Sequence, residues 1–142
     1  MLRLAGMSLR DQMFALARQA KQASRRLATL TPSEKDRCLS AMADAIEANA
    51  RAIHEANAQD LEAAACMGLT KSMLERLELN DQRIRSMAAG LREVAVLPDP
   101  IGRQLDERVR PNGLKLRKIT CPLGVVVIIY ESRPNVTADA AS

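Results

Sequence analysis

The sequence predicts an α/β chain: a helical region over residues 8–97, a β-hairpin arm over 103–120, and a first core strand with the start of a helix over 123–142. Three observations predict it. Apolar residues recur at helical spacing through the N-terminal part. An Asn112-Gly113 pair divides two extended runs. A β-branched run, Val125-Val126-Val127-Ile128-Ile129, then follows without alternation. Such a run suits a parallel strand covered on both faces. It needs sheet neighbours, and no second hydrophobic strand is present, so residues 1–142 read as one incomplete domain, the front of a larger α/β protein.

The elements follow in order. Leu9, Met13, Leu16, Ala20, Ala23, Leu27 and Leu30 step by alternating fours and threes, an apolar stripe of period 3.5. Ser8 is the expected N-cap. In Thr31-Pro32-Ser33-Glu34, Thr31 can cap, Pro32 suits the first helical position and Glu34 can complete a capping box. Leu39, Met42, Ala43 and Ile46 share the next face, and Asn49 or Asn57 marks a break. Gly68 reads as a C-terminal cap. Thr70 opens a short helix with Met73, Leu74 and Leu77. Asn80 and Asp81 cap another with Ile84, Met87, Leu91 and Val94 inward, ended by Pro98 and Pro100. Gln104 to Arg110 and Leu114 to Thr120 form the hairpin around Pro111-Asn112-Gly113. Leu114, Leu116 and Ile119 against Lys115, Arg117 and Lys118 suggest one packed and one wet face. From Val136 a helix begins.

Composition narrows function. Hydrophobic residues are 47% and charged residues 27%, which excludes disorder as the default. Aromatic residues are 1%, Phe14 and Tyr130 with no Trp, which argues against base-stacking nucleic-acid modules. The net charge of +4 concentrates in residues 1–30 and 102–120. Arg18, Lys21 and Arg25 share one helix side, most simply a solvated face. No nucleic-acid partner is expected, because the basic blocks are separated and aromatics are missing, and no membrane partner, because the longest apolar run, Val125 to Tyr130, is far short of the ~20 residues a spanning helix needs. No signal peptide is evident, so a cytoplasmic protein is expected, starting at Met1 or Met7. Cys38, Cys66 and Cys121 are widely spaced and include no CxxC pair, so they read as reduced thiols, buried or incidental. The single His54 has no ligand spacing to them, and no metal site is expected.

The chemistry concentrates after the β-branched run. In open α/β sheets ligands bind at strand C-termini beside helix N-termini. Arg133 can donate a bidentate pair of hydrogen bonds to phosphate or carboxylate. The Asn135 amide can stabilise an oxyanion. A strand-to-helix turn with a charged rim is the simpler alternative.

Pro122-Leu123-Gly124-Val125-Val126-Val127-Ile128-Ile129-Tyr130-Glu131-Ser132-Arg133-Pro134-Asn135-Val136-Thr137 resembles the signature of gamma-glutamyl phosphate reductase (glutamate-5-semialdehyde dehydrogenase), of the aldehyde dehydrogenase superfamily. Ala45-Ile46-Glu47-Ala48-Asn49-Ala50, Asn57-Ala58-Gln59-Asp60-Leu61, Leu97-Pro98-Asp99-Pro100-Ile101-Gly102 and Arg110-Pro111-Asn112-Gly113-Leu114 resemble it too. The resemblance runs from about Met7 to the end. It implies the first strand of a Rossmann-like aldehyde-dehydrogenase domain over 123–142 and an oligomerisation arm over 103–120. It implies NADPH-dependent reduction of gamma-glutamyl phosphate to glutamate 5-semialdehyde, a proline-biosynthesis step, by Cys attack on the acyl phosphate and hydride transfer to the thioester. It makes Tyr130, Glu131, Ser132, Arg133 and Pro134 candidate NADP(H)-binding residues and Asn135 the candidate oxyanion donor. None of the three cysteines falls at the nucleophile's place. The expectation is therefore an N-terminal fragment, inactive alone, that works as a homo-oligomer or with a missing C-terminal half. The alternative is a non-catalytic helical interaction module derived from that family.

Overall fold

Several helix boundaries in this chain fall where a side chain or a glycine takes over backbone groups that the helix leaves unpaired. The computed structural model describes residues 7–131 and 133–142. Helix α1 (Leu9–Leu27) starts at Ser8, whose Oγ accepts the Asp11 amide at 3.2 Å. Helix α2 (Pro32–Ala48) has Pro32 as its first residue. Helix α3 (Ala50–Cys66) begins after Asn49. It ends in a Schellman closure: Leu69 N–H donates to Ala64 O at 3.2 Å, Gly68 N–H to Ala65 O at 3.0 Å, and Gly68 takes φ +75°. Helix α4 (Lys71–Leu77) begins after Thr70. Helix α5 (Asp81–Ala95) is capped by Asn80, whose Oδ1 accepts the Arg83 amide at 2.9 Å, and stops ahead of Pro98. Strands β1 (Gln104–Val109) and β2 (Lys115–Ile119) and a last turn of helix, α6 (Val136–Asp139), complete the chain.

Two compact units result. The first joins the described residues up to Thr31 with Pro98–Val127, and the second joins Pro32–Leu97 with Ile128–Ser142. The second holds the core. Ala43 of α2 and Ala88 of α5 have no exposed surface, and Leu91 and Ala138 complete the buried cluster. Leu39, Met42, Ile46 and Met87 pack around it. With methyl groups at the crossing, α2 and α5 approach closely. At the solvent edge of the same pair, Arg92 Nη2 donates to Asp44 Oδ1 and Glu47 Oε2, both at 2.7 Å, and Nη1 to Glu47 Oε1 at 3.1 Å. Hydrogen bonding from this guanidinium holds the Glu47 carboxyl below the usual carboxylate range, and the same contact holds Arg92 more firmly protonated.

Asn57 does not break the helix. It lies inside α3, 5% exposed, and its amide spans the α4–α5 link: Nδ2 donates to Leu77 O and Oδ1 accepts Leu79 N–H, each at 2.8 Å. These tertiary partners outweigh the local loop preference of Asn. The break falls at Asn49 instead, whose Nδ2 donates back to Ala45 O at 2.7 Å. His54, one turn earlier on α3, faces the same link, with Nδ1 3.0 Å from Leu79 O and Nε2 2.6 Å from Asp81 Oδ1.

In the first unit, α1 keeps its apolar stripe in the open; Leu9 is 72% exposed, and the helix has no buried residue. The hairpin is antiparallel, with Gln104 opposite Ile119 and Val109 opposite Lys115, and an irregularity between Gln104 and Asp106. Its loop has three residues. Arg110 N–H donates to Leu114 O at 2.9 Å, Gly113 N–H donates to Arg110 O at 2.8 Å, and Gly113 carries φ +83°. With Pro111 fixing a negative φ, this is a turn followed by a left-handed glycine rather than a two-residue Asn-Gly loop. The expected packed face is not formed: Leu105, Val109, Leu114, Leu116 and Ile119 are all exposed. Alternation reports which side could be buried, and none of the described residues covers it.

The segment expected as a core strand carries no ladder. Val127 is 81% and Ile129 95% exposed. A strand exists only against a neighbour; β1 and β2 pair with each other, and the described residues contain no third strand. The helix expected from Val136 is present as α6.

Three measurements test these contacts. Asn57→Ala strands a buried N–H and a carbonyl, so unfolding free energy in urea should fall by about 1–3 kcal/mol. Gly113→Val forces a β-branched residue into the left-handed region and should cost roughly 1–2 kcal/mol, seen as faster amide exchange at Arg110 and Leu114. The Arg92–Glu47 pair lowers the folded-state carboxyl pKa, so its stabilisation is full above the ordinary Glu range and is lost as pH falls through the folded value. The gap in melting midpoint between the wild type and Arg92→Met should therefore be present at neutral pH and shrink on acidification below about pH 4.

Candidate functional site

The turn after Tyr130 is held in place by the helix on its C-terminal side. Ala138 of α6 is 6% exposed and belongs to the α2–α5 cluster, so the core anchors the turn through α6. Backbone bonds close it: Val136 N–H donates to Arg133 O at 3.1 Å, and the Ala138 and Asp139 amides donate to Asn135 O at 3.0 and 3.1 Å. The Tyr130 hydroxyl bonds Thr137 Oγ1 at 2.5 Å, tying the preceding segment to α6.

Arg133 and Asn135 line one cleft of about 410 Å³. Its other walls are Arg76 at the last turn of α4, Glu78 and Leu79 of the link, and Arg83, Ser86 and Met87 of α5, with Asp139 beside Asn135. Asn135 donates one amide hydrogen from Nδ2 to Asp139 Oδ2 at 2.9 Å, leaving the second free. Among the described residues the Arg133 guanidinium has no hydrogen-bond or ion-pair partner, and it is exposed. Arg83 is occupied: Nη1 donates to Glu75 O at 2.6 Å and to Glu78 O. Three guanidiniums therefore face two carboxylates, one of them bonded to Asn135, and the cleft is net cationic.

Of the residues expected to form the site, the structure brings Arg133 and Asn135 together. Tyr130, Glu131 and Pro134 sit in the same turn but do not line the cleft: Tyr130 and Glu131 are exposed and Pro134 is half-buried. Ser132 lies outside the described residues. Arg76, Arg83 and Ser86 escaped the sequence reading. They lie on helices that carry no motif, and only the fold brings them to the turn.

Cys38, Cys66 and Cys121 are exposed free thiols. Among the described residues, no group of three or more His, Cys, Asp or Glu side chains could hold a metal ion. No helix among them is long and apolar enough to cross a membrane.

Solved structures give the first level of comparison. The fold matches the N-terminal part of gamma-glutamyl phosphate reductase structures. The Thermotoga maritima enzyme superposes with a TM-score of 0.85 at 37% identity, over 88% of this chain and 30% of that one. The Saccharomyces cerevisiae enzyme gives 0.82 at 38% identity, over 89% and 32%. Curated sequences agree. Gamma-glutamyl phosphate reductase of Syntrophomonas wolfei is 53% identical over 134 residues, 94% of this chain and 32% of the relative. That of Xanthomonas oryzae is 53% identical over 127 residues, 89% and 31%. That of Caulobacter sp. is 48% identical over 136 residues, 96% and 32%. No family model matches the chain. The chain thus corresponds to the N-terminal portion of gamma-glutamyl phosphate reductases and spans about a third of the length of the curated relatives it matches.

Proposed function

We propose that the chain serves as the N-terminal portion of a gamma-glutamyl phosphate reductase, an NADP(H)-dependent oxidoreductase of cytoplasmic proline biosynthesis that reduces gamma-glutamyl phosphate to glutamate 5-semialdehyde. One observation supports this above the others: the turn after Tyr130 holds a free amide hydrogen of Asn135 and an unpaired guanidinium of Arg133 in one cationic cleft. That donor set fits a phosphorylated cofactor or substrate.

A thiolate supplied by the remainder of the enzyme attacks the acyl carbon, phosphate departs with the bonding pair, and the resulting thioester is then reduced. When bound, NADPH supplies the hydride. Asn135 donates its free N–H to the oxygen that becomes negative as the carbonyl turns tetrahedral. Asp139, by accepting the other N–H, fixes the amide's orientation. Arg133 binds an anionic group of substrate or cofactor; Tyr130, Glu131, Ser132 and Pro134 are the other residues of this stretch that would contact the cofactor. The hairpin, with both faces exposed, pairs with a second copy. A second reading, a non-catalytic interaction module, draws on the uncovered stripe of α1.

The test joins this chain to the remaining two-thirds of a relative and follows NADPH oxidation with gamma-glutamyl phosphate. The joined protein should turn over, and Asn135→Ala should lower kcat by about 10²–10³, with a small effect on NADPH affinity. Near-wild-type kcat in that variant, normalised to folded protein, would end the oxyanion assignment.

A further inference from the structure

We propose that Arg76 of α4 is the second cation of an oxyanion-binding site, gripping together with Arg133 a phosphate or carboxylate group in the cleft. The inference rests on the reductase reading for the identity of the ligand, not for its charge.

Arg76 and Arg133 come from distant parts of the sequence and line the same cleft. Neither guanidinium has a hydrogen-bond or ion-pair partner among the described residues. Three arginines of this unit are committed, Arg92 to Asp44 and Glu47, Arg51 to Glu55, and Arg83 to backbone carbonyls, while Arg37 and Arg85 do not line the cleft. The role of Arg83 bears on the site. The C-terminal end of a helix presents carbonyl oxygens and partial negative charge, which would repel an anion. Arg83 covers those of Glu75 and Glu78 at the end of α4 and pins this wall to α5, which leaves the side chains of Glu78 and Asp139 as the negative groups of the lining. The Ser86 hydroxyl and the free Asn135 N–H add neutral donors from α5 and from the turn. Two forked cations and neutral donors lining one cleft match the several oxygens of one phosphate.

The probe is inorganic phosphate, titrated into the 142-residue chain while the arginine side-chain NMR signals are followed. The signals of Arg76 and Arg133 should shift saturably, while that of Arg18 on α1 should not. Arg76→Gln should weaken phosphate binding about tenfold, the loss of one charged hydrogen-bonding partner. Arg76→Lys should recover part of it, because charge returns without the fork. Because Arg76 is exposed and unpaired, these variants should keep the wild-type melting midpoint.

Displacement of phosphate by acetyl phosphate would assign the site to the acyl-phosphate substrate. Displacement by the 2′-phosphorylated dinucleotide, but not by its unphosphorylated form, would assign it to the cofactor. Either outcome supports the site. Phosphate binding that is absent, or unchanged in Arg76→Gln, overturns it, whether or not the joined enzyme turns over. An inactive joined enzyme whose first portion still binds phosphate through Arg76 instead removes the reductase reading and leaves the site standing.

Discussion

The close crossing of α2 and α5 over Ala43 and Ala88 is the constraint on which the candidate site depends. Both alanines have no exposed surface, so the two helix backbones sit as near as methyl groups allow. Leu91 and Ala138 then close the cluster, and Ala138 brings α6 with it. A larger side chain at either alanine would force the helices apart and release α6. The four residues of α6 bury little on their own, so the position of Arg133 and Asn135 is borrowed from a contact made by the two longer helices.

A second set of contacts shapes the opposite wall. The α4–α5 link buries Leu79 and is also held by polar side chains arriving from both sides. Asn57 and His54 reach it from α3, and Arg83 reaches it from α5. Asn57 satisfies a buried backbone group that would otherwise lack a partner, and Arg83 covers two exposed carbonyls at the end of α4. The cleft is therefore a gap between one wall set by packed methyl groups and another set by hydrogen bonds.

How far the sequence was legible depends on the range over which each signal acts. Capping residues at Ser8, Gly68 and Asn80 act on amides and carbonyls within a few residues, and the helix ends fall where they indicate. Asn57 shows the opposite case. Its local preference is for loops, and partners about twenty positions away keep it in a helix. The two-faced hairpin and the Val125–Ile129 run were readable as apolar patterns, but burial needs a second surface that the pattern does not contain. The Arg133–Asn135 turn was legible through its resemblance to a known signature. The walls around it were not, because Arg76, Arg83 and Ser86 meet it only through the α2–α5 crossing and the Asn57 clasp.

The exposed Leu123–Ile129 segment has a consequence for solubility. It is seven residues long and contains no charge and no proline, with β-branched side chains at five successive positions. Unpaired and open, such a stretch is a template for cross-β stacking with copies of itself. Pro122 stands at its entrance, and Glu131 and Arg133 stand at its exit, the placement that gatekeeper residues take around an unavoidable apolar strand. Arg133 thus stands at two places at once: it lines the cleft, and with Glu131 it puts charge just beyond a run prone to self-association.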